Sequence, residues 1–171
     1  TKLTAMERAA TEPIAIIGMG CRFPGGANNP EVFWQLLRDG RNAVTETPAE
    51  RWSIDPNHYQ DLDAHSQSCI RYGGFLDQVD AFDPQFFGIS SDEAIKMDPQ
   101  HRLLLEVSWE ALEHAGQDPD KLTGSRTGVF LGITTNDYLH LQVQSSSFTD
   151  LDAFTTVGNS LNFAAGRLSY N

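Results

Sequence analysis

Apolar positions along this chain fall into two kinds of pattern. Ile14-Ala15-Ile16-Ile17 is a short continuous apolar run between Pro13 and Gly18, and Thr127-Gly128-Val129-Phe130-Leu131-Gly132-Ile133 is a second. Runs of this length, rich in β-branched residues, predict strands buried on both faces. Between them the spacing turns helical. Asn29 and Pro30 are placed as N-cap and first helical residue, Val32, Phe33, Leu36 and Leu37 form one face, and Gly40 follows as the stop. Ser90 and Glu93 suggest a capping box over a short helix, Asp92–Met97. Asp98 and Pro99 cap the longest predicted helix, Gln100 to about Ala115, which ends at Gly116. Its apolar positions cover more than one face, so it is expected to be largely buried. A last helix is predicted from about Asp152 to Leu168, with Gly158, Ala164, Ala165 and Gly166 allowing close approach of another backbone.

The remaining stretches are less patterned. Residues 1–12 read as a linker that precedes a domain over 13–171. Residues 41–80 are rich in Pro, Asp and Asn and read as a long excursion carrying Trp52, Tyr59 and a short strand near Gly74-Phe75-Leu76. Ser145-Ser146-Ser147 reads as a loop. No internal repeat is visible. Alternating strands and helices predict an α/β layered fold.

Composition narrows the function classes. The chain has 171 residues, is 40% hydrophobic, and carries 12 basic against 23 acidic residues for a net charge of −11. The basic residues are scattered singly, which argues against nucleic acid, where clustered Lys and Arg must displace counterions. The same charge would be repelled by anionic lipid. No apolar run approaches the roughly 20 residues of a membrane span. Two cysteines far apart, Cys21 and Cys69, predict reduced thiols in a cytoplasmic protein rather than a disulfide framework.

Each candidate for chemistry meets a plainer reading. Gly18-x-Gly20 follows a predicted strand, but a dinucleotide fingerprint needs a third glycine opening a helix. Phe23 and Pro24 stand there instead, so a tight turn packing the first strand is expected. Cys21 lies in a Gly-rich loop where a thiolate can be activated, yet no base is placed beside it. His58 and His65 lie near Asp55, Asp61 and Asp63 in what reads as a solvated polar loop rather than a metal site. His101 and His114 are 13 positions apart on one helix and cannot share a ligand; His140 stands alone. No carboxylate pair or G-x-S-x-G elbow stands out. The expected site therefore has no catalytic, cofactor-binding or metal-binding residue.

A set of longer motifs adds a resemblance. Glu12-Pro13-Ile14-Ala15-Ile16-Ile17-Gly18-Met19-Gly20-Cys21-Arg22-Phe23-Pro24-Gly25-Gly26, Glu50-Arg51-Trp52, Gly73-Gly74-Phe75-Leu76 and Phe86-Phe87-Gly88-Ile89-Ser90 come first. Met97-Asp98-Pro99-Gln100-His101-Arg102-Leu103-Leu104-Leu105-Glu106, Trp109-Glu110-Ala111-Leu112-Glu113 and Ala165-Gly166-Arg167-Leu168-Ser169-Tyr170 follow in order. Together they resemble the N-terminal portion of the β-ketoacyl synthase domain of modular type I polyketide synthases. The resemblance implies an incomplete thiolase-like α/β fold and, for the complete domain, a homodimer. It implies decarboxylative Claisen condensation with a malonyl unit on a phosphopantetheine-bearing acyl carrier protein. It also implies that the family's reactive Cys lies shortly after the Gly-Arg-Leu-Ser-Tyr stretch and its two His further on. None of those roles passes to a residue of this chain, and Cys21 matches a loop cysteine. Partners are then the remainder of the synthase or another synthase protein. The alternative expectation is a naturally truncated remnant kept as a docking module.

Overall fold

The computed structural model describes residues 11–51, 63, 66, 71–145 and 151–170. Helix α1 spans Pro30–Arg38, and its start follows the sequence reading: the Asn29 side chain accepts the Val32 N–H at 2.8 Å, and Pro30 occupies the first turn. At its end Gly40 takes a φ of +61°, letting the Gly40 and Arg41 N–H groups reach back to Leu37 and Leu36. Strands β1 (Thr45–Glu46) and β2 (Tyr72–Gly73) pair antiparallel, with Thr45 opposite Gly73 and Glu46 opposite Tyr72. The strand expected near 74–76 thus sits slightly earlier, and this pair is the whole sheet among the described residues.

Helices α2 (Ser91–Lys96) and α3 (Pro99–His114) meet at a corner, Met97-Asp98. Ser90 caps α2 by accepting the Glu93 N–H. The other half of the expected capping box is not made by Glu93 to the cap; its carboxylate takes Arg167 at 2.6 Å instead. Asp98 caps α3 through the Gln100 N–H at 2.8 Å. A 3-10 turn follows at Pro119–Leu122, and α4 (Asp137–Ser145) is a helix that the sequence reading missed. Its Ser145 closes the helix where a loop was expected.

The expected single last helix is two: α5 (Ala153–Asn159) and α6 (Leu161–Tyr170). The break is at Ser160, whose backbone is extended and whose hydroxyl donates to the Thr156 carbonyl at 2.8 Å. A serine that bonds back to the preceding turn competes with continuation of the helix. Gly158 fits the close-approach reading, since a Cβ there would lie 3.0 Å from both the Lys96 carbonyl oxygen and Met97 Cα.

The core sits at this corner. Ile89, Ala94, Met97 and Leu105 are buried, with Phe82, Phe87 and Leu168 packed against them. Polar bonds tie the corner to its neighbours. Asp98 N–H donates to the Gly158 carbonyl, Tyr138 Oη donates to the Ile95 carbonyl, and the side chains of Gln142 and Asn159 both donate to the Lys96 carbonyl. Lys96 pairs with Asp152 at 2.5 Å.

The two predicted buried strands are corrected. Residues 14–17 and 127–133 join no ladder. Ile14 is 95% exposed and Phe130 94%. A strand apolar on both faces becomes a sheet strand only where neighbours supply edge partners for its N–H and C=O groups. Among the described residues no such neighbour lies beside either run. No helix among the described residues is long and apolar enough to cross a membrane.

Candidate functional site

Residues 18–22 lie along α3, and the two glycines explain how. A Cβ on Gly18 would fall 2.2 Å from the Ala111 carbonyl oxygen, and one on Gly20 would fall 2.5 Å from that of Val107. Only glycine permits an approach this close. The Gly18-x-Gly20 pair is therefore a helix-contact device, neither a dinucleotide loop nor the tight turn expected. The turn comes later, where Phe23 N–H donates to the Ala27 carbonyl across Gly25 and Gly26, both at positive φ. Met19 N–H donates to His114 Nδ1 at 3.1 Å, and Arg22 forks onto the Glu110 carboxylate, with its Nη1 at 2.6 Å from Oε2. The same guanidinium donates to the carbonyls of Cys21 and Asn28. Sequence reasoning missed the Arg22–Glu110 pair because 88 positions separate the partners.

This arrangement does not activate Cys21. Its thiol is half-buried and lies 3.7 Å from the Ala27 carbonyl, as a weak donor. Burial pushes its pKa up, and the Glu110 and Glu31 carboxylates add to that against the opposing Arg22. A thiol held in its protonated form is a poor nucleophile. Cys69, His58, His65, Asp55 and Asp61 lie outside the described residues; Asp63 accepts the Ser66 N–H and hydroxyl.

The other histidines are dispersed. His114 is spent on Met19, and His140 is exposed on α4. His101 is 1% exposed beneath the corner, with neither ring nitrogen hydrogen-bonded among the described residues. Desolvation holds its pKa below the ordinary value, partly opposed by Asp98 and reinforced by Arg167. Among the described residues no group of three His, Cys, Asp or Glu could hold a metal ion.

A cleft of about 660 Å³ opens along α3. Phe86, Phe87 and Trp109 make its aromatic wall, with Phe86 edge-on to Trp109 at a centroid distance of 4.7 Å. Asp83, Glu106 and Glu113 line it as well, beside the Arg22–Glu110 pair. Glu106 has its pKa raised by burial first, then by the like charges of Glu110 and Asp83, against Arg22 and Arg102. The geometry offers binding and positioning, and no nucleophile–base pair lines the cleft among the described residues.

Residues 11–171 match the model of the β-ketoacyl synthase N-terminal domain. The chain is 50% identical over 171 residues to a phenolphthiocerol/phthiocerol polyketide synthase protein of Mycobacterium tuberculosis, covering 99% of this chain and 8% of that protein. It is 45% identical over 162 residues to a second protein of the same synthase and organism, covering 95% of this chain and 10% of that protein. Two solved ketosynthases match in structure. The oxazolomycin ketosynthase domain of Streptomyces albus superposes with a TM-score of 0.74 at 35% identity, over 91% of this chain and 26% of that one. The ketosynthase from module 6 of the Bacillus subtilis bacillaene synthase gives 0.71 at 36%, over 91% and 24%. The chain thus spans about a quarter of the ketosynthase structures it matches and a tenth or less of these curated relatives. It belongs to the β-ketoacyl synthase family, as the N-terminal portion of a thiolase-like ketosynthase domain of the modular polyketide synthase type.

Proposed function

We propose that this chain supplies scaffold, not reacting groups, to a ketosynthase that catalyses decarboxylative Claisen condensation when complete. In that reaction a cysteine takes the acyl chain from its carrier thiol. The malonyl unit, held on the phosphopantetheine arm of an acyl carrier protein, then loses CO2, and its enolate attacks the thioester carbonyl and releases the cysteine. In the family that cysteine and the two assisting histidines follow the Gly166–Tyr170 stretch. The observation that carries the reading is the match to the N-terminal domain of the family over residues 11–171. Two features support it. The Cys21 thiol is pushed away from ionisation, and the two apolar runs at 14–17 and 127–133 stand without sheet partners among the described residues. The rest of the domain would supply those partners, and a second complete domain the dimer.

The test joins this chain to the downstream part of the ketosynthase of the 50%-identical relative and measures CO2 release and ketoacyl product. The chain alone is expected to give no product, the joined protein to give product, and its Cys21→Ala variant to keep full turnover. Product from the chain alone, or loss of turnover in Cys21→Ala with assembly intact, would overturn the reading.

A further inference from the structure

We propose that the cleft along α3 is a docking site for an arginine-bearing, apolar peptide segment of a protein partner. It goes beyond the enzymatic reading and is tested without turnover, so the failure of one leaves the other standing.

Charge sets the first requirement. Glu110 is matched by Arg22, whereas Asp77, Asp83, Glu106 and Glu113 have no ion-pair partner among the described residues. Four unmatched carboxylates around one cleft repel each other; burial raises the pKa of Glu106, and the charges of Glu110 and Asp83 add to that against Arg22 and Arg102. A cation is the complement. A bare metal ion is not favoured, since no three of these groups converge on one point. An anionic partner such as nucleic acid would be repelled.

The wall decides which cation. Phe86 is 55% exposed, and its neighbours Trp109 and Phe87 stand edge-on to it. An exposed aromatic face beside carboxylates suits a guanidinium, which stacks flat on a ring while its fork of N–H groups reaches the acids. Lysine offers a point charge with no plane to stack. Arg22 already shows the fork geometry on Glu110 in the same wall. The lining also holds Leu76, Ala81 and Leu103 among the polar Asn28, Asp77 and Gln78, and apolar residues flanking the arginine would meet the first three. The volume of about 660 Å³ lies within the roughly 300–1,000 Å³ of ligand-holding clefts.

The probe is the peptide acetyl-Leu-Arg-Leu-Leu-Arg-amide, titrated calorimetrically into the full chain. Its controls carry lysine, or the neutral isostere citrulline, in place of arginine. The arginine peptide is expected to bind at least about tenfold more tightly than the citrulline peptide, with lysine between, and to weaken as ionic strength rises. Glu106→Gln with Glu113→Gln should cost about tenfold, and Phe86→Ala should erase the preference for arginine over lysine. Glu113 is exposed, so Glu113→Gln alone gives a folded readout, verified by circular dichroism, if the double variant is damaged. Absence of binding, equal binding of the citrulline peptide, or variants that leave affinity unchanged would overturn the proposal. So would self-association of the chain, seen by light scattering and abolished by Glu113→Gln, which would assign the cleft to a second copy.

Discussion

The corner between α2 and α3 and the apolar run at 14–17 both carry aliphatic side chains and behave in opposite ways. At the corner Met97 is fully buried, and backbone and side-chain bonds with α4 and α5 converge on Lys96 and Asp98 on either side of it. At 14–17, three isoleucines face solvent. Helices satisfy their backbone within one stretch of chain, so a helical corner can be completed locally by neighbours that pack against it. A strand cannot be completed by its own residues. Hydrophobicity alone therefore does not make a core; the backbone's hydrogen-bonding groups must also be satisfied.

The contrast can be broken most strongly at Met97. Met97→Ala would open a cavity where nothing is exposed, and should lower unfolding free energy by about 2–5 kcal/mol in a urea melt. Gly158→Ala comes next. Its new methyl meets backbone of Lys96 and Met97 rather than a side chain that can swing away, so a loss of about 1–3 kcal/mol is expected in the same melt.

A pH titration sharpens the comparison further. His101 is neutral in the fold because burial depresses its pKa below the ordinary value of 6.5. The unfolded chain therefore takes up a proton first as pH falls. Stability is full above 6.5 and declines from there down to the depressed folded pKa. His101→Leu should flatten that part of the stability profile relative to the parent; an unchanged slope would show that another group carries it. The smallest effect is expected at the other region. Ile16→Thr in this chain should change stability by no more than about 0.5 kcal/mol, because the side chain is exposed. The same substitution in the joined ketosynthase should cost several times more if strands close around it.

These elements also mark what was legible in the sequence. The starts and stops of α1, α2 and α3 were readable because each rests on a local signal, Asn29-Pro30, Ser90, Asp98-Pro99, Gly40 and Gly116. The two strands were readable as strand-forming runs but not as strands, since pairing is a property of two segments. Helix α4 has a weak apolar stripe and is held by Tyr138 and Gln142 reaching the end of α2, a contact with no trace in its own spacing. The break at Ser160 is one hydroxyl bond inside an otherwise continuous helical pattern. At the candidate site, Cys21 and the Gly18-x-Gly20 pair could be singled out from sequence. Their surroundings could not, because Glu110 and His114 come from a helix 88 and 95 positions away from their partners Arg22 and Met19.

That separation has a consequence in time. The extended segment and α3 are commensurate: two residues of extended chain advance about 6.6 Å, and one four-residue step along a helix about 6.0 Å. Gly18 and Gly20 thus meet successive turns of α3 in reverse order, at Ala111 and Val107. During synthesis the segment leaves the ribosome long before its seat exists. Arg22 must wait 88 residues for Glu110, roughly 4–18 s at translation rates of about 5–20 residues per second. For that interval Gly18, Gly20 and Arg22 have no seat, and Ile14, Ile16 and Ile17, which the finished fold leaves exposed as well, make the segment a target for a chaperone from the start of synthesis.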